Sequence, residues 1–263
     1  MIISYTKRIC FIHIPKCAGT TIRKLLRPID EKSWEIEKNE LKKRKYDIDH
    51  LPLFALEKFL PQIYSKIFDF DTYAIVRNPY ERFTSAFSQR MIMYRGRKLH
   101  DLSKKELKHE IETLIEYLVK NNKENFLLQN EYIHFSKQTE YIFNHNQQLI
   151  KNIYTIDEIE VLIDRLIETI NDDRLIYERE KENQTLFYKN SFLKRVKLVL
   201  YHTHINKIFY ALPEKTKMKI KYHTMINDKS KGPDIFNSDY VRSFIEEYYK
   251  KDIDYYSIIK SKV

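Results

Sequence analysis

A lysine, a glycine and two threonines lie close together near the start of the 263-residue sequence. They are Lys16, Gly19, Thr20 and Thr21, and an apolar, β-prone run over residues 9–14 precedes them. The ammonium group and the two hydroxyls can donate to an anion, and a glycine lets the backbone approach a ligand closely. The stretch therefore predicts an anion-binding loop.

A strand and a helix must position this loop. Pro15 cannot donate to a sheet ladder, so it marks the end of the strand. The apolar spacing over residues 22–26 is that of an amphipathic helix, with Thr20 or Thr21 as its N-cap. Free backbone N–H groups and the positive end of the helix dipole would then face the loop. Because Lys16 precedes Gly19, the order differs from a Walker A loop, and an ordinary strand–helix turn that carries a lysine is the alternative.

A second strand–helix junction follows at residues 72–87. Residues 72–76 read as a strand, the dipeptide Asn78-Pro79 breaks it, and apolar residues then recur at helical spacing. Arg77 lies at the carboxyl end of this strand. In open α/β sheets ligands bind at that edge, so Arg77 is a second candidate for anion binding.

The bulk composition is that of a globular protein, with 43% hydrophobic and 32% charged residues. Strands alternate with helices and no repeat interrupts them, which predicts one α/β domain over residues 1–263. Residues 54–60 read as a short helix closed by Pro61, Ser103 and Glu106 as a capping box that opens a helix, and residues 140–143 as a strand. Two cysteines do not make a disulfide framework, so we expect a cytoplasmic protein in a reducing compartment. No apolar run reaches the ~18 residues of a membrane span, so we expect no transmembrane segment.

The net charge of +10, from 47 basic and 37 acidic residues, predicts polyanionic partners. Specific nucleic-acid binding is disfavoured, because the aromatic residues recur at core spacing and do not form a stacking platform. The densest basic run spans residues 42–45. It is interpreted as a solvated helix end, with a substrate-facing patch as the alternative.

Two stretches together resemble a known family. Residues 11–21 resemble the 5′-phosphosulfate loop, and residues 75–87 resemble the 3′-phosphate motif, of sulfotransferases that use PAPS (3′-phosphoadenosine 5′-phosphosulfate). By motif the sequence is most similar to the carbohydrate enzymes that include the heparan sulfate 2-O and chondroitin/dermatan sulfotransferases. Residues 134–141 and the pattern Tyr249-x-x-Asp252 resemble further family segments more weakly.

The resemblance implies a P-loop-like three-layer α/β fold, with a central, mainly parallel sheet flanked by helices. It implies PAPS as co-substrate and a hydroxyl acceptor, a carbohydrate above all, which could be anionic. Residue by residue it places Arg77 and Ser85 on the 3′-phosphate. Around the 5′-phosphosulfate it places the loop residues Lys16, Cys17, Ala18, Gly19, Thr20 and Thr21, although Cys17 stands where many members have threonine.

Two residues are expected to be catalytic. Lys16 is assigned to the bridging and leaving oxygens, because it lies in the loop that holds them. The base for the acceptor hydroxyl should have a pKa near neutrality, which points to histidine. His50 lies in the interval where the related 2-O-sulfotransferases have a base histidine, and a turn histidine is its alternative role. His13 is expected to be a satisfied core histidine.

Other roles are predicted more loosely. His223 and the pattern Asn227-x-x-Ser230 could close over the nucleotide, or they could be plain loop. No cluster of His, Cys and Asp has metal-ligand spacing, so no metal is expected. The alternatives to a sulfotransferase are a P-loop-type nucleotide kinase or hydrolase, and a non-catalytic protein that binds a nucleotide or a polyanion.

Overall fold

A four-stranded sheet forms the centre of the fold. The computed structural model describes residues 1–31, 46–177, 186–188, 225–227 and 234–262. The strands are β1 (Ile2–Ser4), β2 (Ile9–Ile12), β3 (Asp71–Val76) and β6 (Asn152–Thr155), and they lie in the order β1-β2-β3-β6. β1 is antiparallel to β2, whereas β2, β3 and β6 are parallel. A separate short ladder joins β4 (Phe143–Asn144) to β5 (Gln147–Gln148).

Eight α-helices are described around this sheet, and 3-10 turns connect several of them. The helices are α1 (Gly19–Leu26), α2 (Leu53–Phe59), α3 (Pro61–Asp69), α4 (Pro79–Arg95), α5 (Lys104–Lys120), α6 (Ile159–Ile170), α7 (Asp239–Tyr248) and α8 (Lys250–Lys260). A mainly parallel sheet flanked by helices confirms the predicted α/β class. The parallel arrangement is central to the site, because it brings the carboxyl ends of β2 and β3 to the same edge.

Each central strand is apolar on both faces, as strands covered by helices on both sides are. Every residue of β2 is buried, and β3 is buried after its first residue. The register places Ile12, the last residue of β2, opposite Ala74, so β3 continues to Val76 beyond the end of β2. A second apolar cluster packs α4, α5 and α7 around Phe83 and Phe87. The buried residues of β2 and β3 belong to a first apolar cluster, which fixes the strand ends. The second cluster fixes α4, the helix that follows β3.

Some local predictions are confirmed and others are wrong. Ser103 and Glu106 form the reciprocal capping box that opens α5. Pro61 does not merely end a helix, since it also begins α3 as its first residue. Of the strand predicted over residues 140–143, only Phe143 lies in a strand, β4, because a 3-10 turn occupies Gln138–Tyr141. The backbone N–H groups of Glu140 and Ile142 donate to carbonyls three residues earlier and not to a neighbouring strand.

The chain divides into two compact units, residues 1–178 with 233–263, and residues 179–232. In the second unit the described residues form an antiparallel pair, β7 (Leu186–Tyr188) with β8 (Met225–Asn227). The single domain over residues 1–263 stays a prediction. Asn227 ends β8, whereas His223, Ser230 and the basic run 42–45 lie outside the described residues. Of the helices in the described ranges, none combines the length and apolar character needed to span a bilayer.

Candidate functional site

The loop between β2 and α1 has an unusual backbone. Lys16 and Ala18 both have positive φ, 66° and 56°, which few non-glycine residues adopt. Ala18 is the N-cap of α1, and no side chain caps the helix there. Strained residues of this kind persist where the surrounding structure holds them, and they concentrate at functional sites. The loop therefore presents an uncapped helix N-terminus next to Lys16.

Gly19 is required for a reason other than backbone freedom. A Cβ built at this position would lie 1.8 Å from Cδ2 and 2.1 Å from Nε2 of His13. The imidazole of His13 thus packs directly on the first residue of α1. The close approach expected of this glycine is present, but in the described residues it is made by a side chain of the same chain.

Lys16 and Arg77 meet at one edge of the sheet. Arg77 Nη1 lies 3.5 Å from the carbonyl oxygen of Lys16 and donates to it. Burial, and then the positive charge of Arg77, lower the pKa of Lys16. Two cations held this close repel one another. An anion bound between them would remove that repulsion.

One row of side chains on α4 connects the two cations. Glu81 accepts from the guanidinium of Arg77 at 3.1 Å, and Gln89 accepts from Nζ of Lys16. Ser85 lies four residues from each, so all three project from one face of the helix. Ser85 is half-buried between the positions that contact the two cations. The structure therefore brings the predicted residues Lys16, Arg77 and Ser85 to one surface.

The remaining loop residues differ in exposure. Thr20 is exposed, while Thr21 and Ala18 are half-buried. Cys17 is fully buried, its thiol donates to Gln138 at 3.2 Å, and burial raises its pKa to about 12. The Cys17 side chain therefore points into the protein. Only its backbone remains for a ligand.

Gln138 holds the two strand ends together, although no local pattern in the sequence marks it as a site residue. Its amide accepts from the Arg77 backbone N–H and donates to the Arg77 carbonyl, both at 2.9 Å. The same amide oxygen accepts from the Cys17 thiol. One side chain thus holds the backbone of the second junction and the loop of the first. The only sequence signal was the weak family resemblance of residues 134–141.

Asp252 in turn holds the segment that carries Gln138. Its carboxylate accepts from the backbone N–H of Gln138 at 2.7 Å and from the N–H and hydroxyl of Thr139 at 2.9 and 2.8 Å. Buried Arg82 lies 3.8 Å from this carboxylate and donates to two carbonyls of the same segment. This buried network fixes the position of Gln138. The pattern Tyr249-x-x-Asp252 was its only sequence signal.

Three histidines cluster beside the loop. The rings of His13 and His50 are 4.4 Å apart, and those of His50 and His134 are 5.1 Å apart, measured between centroids. His13 is buried as predicted, but its Nδ1 has no hydrogen-bond partner among the described residues, so it is not a satisfied core histidine. The carboxylate of Asp47 lies next to His50 and His134.

All three histidines are held in the neutral form. Burial is the main cause, and it lowers the pKa of His50 to about 4 and that of His134 to about 3. The pKa of His13 is also well below its usual value, because of burial and then of His50. Nδ1 of His50 lies 3.2 Å from the carbonyl oxygen of His13. With the proton on Nδ1, Nε2 of His50 carries the free lone pair.

The comparisons with known proteins give one match. The model described as the sulfotransferase family matches residues 1–257, nearly the whole chain. Neither a curated protein nor a solved structure matches. The fold of this family is P-loop-like, in agreement with the mainly parallel sheet and its helices. With a family match over almost its full length and the expected fold, the chain belongs to the sulfotransferase family.

Proposed function

We propose that the protein transfers the sulfonyl group of PAPS to the hydroxyl of an acceptor. The observation that carries the proposal is the contact between the Arg77 guanidinium and the Lys16 carbonyl. It joins two motifs that are remote in sequence, each of which resembles the site for a different end of one nucleotide. A molecule with a 5′-phosphosulfate and a 3′-phosphate carries two anionic groups for these two sites.

The residues present fit such a nucleotide. Lys16, the backbone of residues 17–21 and the threonine hydroxyls would hold the 5′-phosphosulfate at the uncapped N-terminus of α1. Arg77 and Ser85 would hold the 3′-phosphate, since a guanidinium fork matches two phosphate oxygens. Glu81 now occupies that fork. A bound phosphate would have to displace its carboxylate, so Glu81 competes for the 3′-phosphate site.

His50 is proposed as the base. The acceptor hydroxyl gives its proton to Nε2 of His50 while its oxygen bonds to sulfur and the sulfur–phosphate oxygen bond breaks. The products are the sulfate ester and 3′,5′-ADP. Lys16 would stabilise the charge on the leaving oxygen, as cationic groups do in phosphoryl transfer. A pKa of about 4 keeps His50 unprotonated at neutral pH, and the negative charge of the bound nucleotide would raise that pKa towards a useful value.

A carbohydrate is the acceptor class we favour. Its support is the resemblance of residues 11–21 and 75–87 to carbohydrate sulfotransferases, and the net charge of +10 suits an anionic glycan. A P-loop-type kinase or hydrolase is less well supported. Such an enzyme uses a Ser or Thr directly after its lysine to bind magnesium, whereas here that position is the buried thiol of Cys17.

The nucleotide site is tested by binding. Arg77→Ala should weaken 3′,5′-ADP roughly 10- to 100-fold, because hydrogen bonds to charged groups contribute about 1.5–3 kcal/mol. The affinity for 5′-AMP should change little. Arg97→Ala is the matched control, because Arg97 also pairs with a glutamate, the exposed Glu106 of α5. Equal losses for 3′,5′-ADP and 5′-AMP would argue against a 3′-phosphate contact.

The reaction is tested with sulfate-labelled PAPS and a panel of glycans. Transfer of label to a glycan supports the proposal, and tight nucleotide binding without transfer to any hydroxyl would indicate the non-catalytic alternative. His50→Gln should lower turnover about 10²–10⁴-fold with nucleotide affinity nearly intact. Lys16→Ala should lower both turnover and nucleotide affinity. Normal turnover in the His50 or the Lys16 variant would remove that residue from the mechanism.

A further inference from the structure

The histidine cluster includes three potential metal ligands, of which the proposed reaction uses only His50. One ligand atom from each of Asp47, His50 and His134 lies within 4.8 Å of the other two. Sequence spacing predicted no metal site, because the third ligand comes from a distant segment. The fold supplies it by placing the 3-10 turn Ile133–Phe135 against the turn Ile48–His50.

The donor types match those of a metal site. Asp47 and His50 are partly exposed, so an ion can reach them, whereas His134 is buried. Two imidazoles and a carboxylate are a known ligand set for zinc that leaves one position open.

The ligands are also held by second partners. Nδ1 of His50 faces the carbonyl oxygen of His13 at 3.2 Å, which leaves Nε2 for a metal. Metal-bound histidines usually donate their other ring N–H to a carbonyl or carboxylate in this way. Tyr141 donates to the His50 carbonyl, and Arg82 donates to the His134 carbonyl. The backbone of both histidines is therefore fixed.

The three donor atoms must move closer to bind a metal. In a tetrahedral zinc site with bonds of about 2.1 Å, ligand atoms are about 3.4 Å apart. The donor atoms here lie within 4.8 Å of one another, so they must approach before they bind. This rearrangement costs binding free energy, so the metal should bind reversibly.

We propose that Asp47, His50 and His134 form a reversible zinc site that inhibits the enzyme. The binding follows from the ligand set alone. The inhibition rests on the proposed function, because zinc on Nε2 of His50 occupies the lone pair that would accept the proton. The nucleotide side chains Lys16 and Arg77 stay available.

Binding is measured on the untagged, metal-free full chain. Cobalt(II) serves as a spectroscopic probe, and zinc affinity follows from its displacement of cobalt. We expect one site per chain with the visible absorption of a low-coordinate cobalt ion. Asp47→Asn and His134→Gln should each weaken zinc at least ~10-fold. His145→Gln should change nothing, because His145 is an exposed histidine that pairs with Glu57 away from the cluster.

Asp47→Asn guards against a folding defect, since asparagine keeps the oxygen that accepts from the Asp49 N–H. Cobalt binding that is absent, or equal in the wild type, Asp47→Asn and His134→Gln, would overturn the zinc site. Titrations of 3′,5′-ADP and turnover assays are run on the same samples with and without zinc. Unchanged nucleotide affinity with lowered turnover supports the inhibition. If zinc binds at the three ligands and turnover stays complete, zinc does not inhibit the enzyme and His50 is not the base. That result would leave the proposed nucleotide site unaffected.

Discussion

Replacement of Asp252 by asparagine tests the link between the buried network and the proposed nucleotide site. The carboxylate accepts three hydrogen bonds from Gln138 and Thr139 and lies 3.8 Å from the buried guanidinium of Arg82. Asparagine has nearly the same shape. It keeps one acceptor oxygen, but it turns an NH₂ group towards a backbone N–H and removes the negative charge.

The expected loss of stability follows from these contacts. Breaking a buried ion pair by removing one partner costs about 3–5 kcal/mol, because the remaining charge has no counter-charge. Arg82 still donates to the carbonyls of His134 and Ser136, which places Asp252→Asn near the lower end, at about 3 kcal/mol. A chain of this size loses roughly 2–4 °C per kcal/mol, so the melting temperature should fall by roughly 6–12 °C.

The same change should reach the nucleotide site. Without the carboxylate, the backbone of Gln138 is no longer fixed, and its amide holds both backbone groups of Arg77 less firmly. We expect 3′,5′-ADP to bind about tenfold more weakly, equivalent to about 1.4 kcal/mol. Asp252 contacts no atom assigned to the ligand, so the loss would act through position alone.

Thermal unfolding and nucleotide titration are compared with Asp254→Asn as the matched control. Asp254 lies on the same helix, is exposed and pairs with Lys250 at the i, i+4 spacing. Its replacement should change stability by less than about 0.5 kcal/mol. A melting temperature for Asp252→Asn within about 2 °C of the control would refute the reasoning about the buried charge. Normal 3′,5′-ADP affinity in a destabilised protein would refute the link through Gln138.

Three further outcomes are expected. Gly19→Ala should cost about 1–3 kcal/mol in unfolding free energy, because the new methyl group overlaps the His13 ring. The cost should shrink in a His13→Ala background. An equal cost in the wild type and in that background would exclude the contact. Burial raises the pKa of Glu140 to about 7. Between pH ~4.3 and 7 this carboxyl therefore keeps its proton in the folded protein and loses it in the unfolded protein, so the free energy of unfolding should fall as the pH rises to 7. Glu140→Gln should flatten this slope in urea titrations and stabilise the protein by at most roughly 3 kcal/mol at pH 8, whereas an unchanged slope would contradict the assignment. Gln138→Ala should weaken 3′,5′-ADP about tenfold in calorimetric titrations while Gln147→Ala, on an exposed strand, leaves it unchanged; equal affinities would show that the amide does not support Arg77.

Local signals in the sequence were sufficient for the strand–helix junctions. The apolar run before Pro15, the break at Asn78-Pro79 and the capping box at Ser103 each depend on neighbouring residues. Hydrophobic periodicity and backbone donors act over a few residues, so a single sequence carries them. The placement of Arg77 at a strand end followed in the same way.

The contacts that complete the site could not be predicted from such signals. Gln138 reaches Arg77 across 61 positions and Cys17 across 121, and Asp252 reaches Gln138 across 114. No pattern in the sequence expresses the pairing of side chains so far apart. The strand predicted over residues 140–143 is shortened by a contact of the same kind, since Asp252 holds the N–H groups of Gln138 and Thr139 at the start of the 3-10 turn that replaces most of it.

The family, the α/β class and the two motifs predicted to bind anions can be inferred from residue types at short spacing. The folded chain was needed to see that the motifs meet, that Gly19 makes room for His13 and that Asp47, His50 and His134 form one cluster. These contacts arise because strand pairing and burial act between segments remote in the chain. They bring charges together at a shared edge and remove the water that would otherwise separate them.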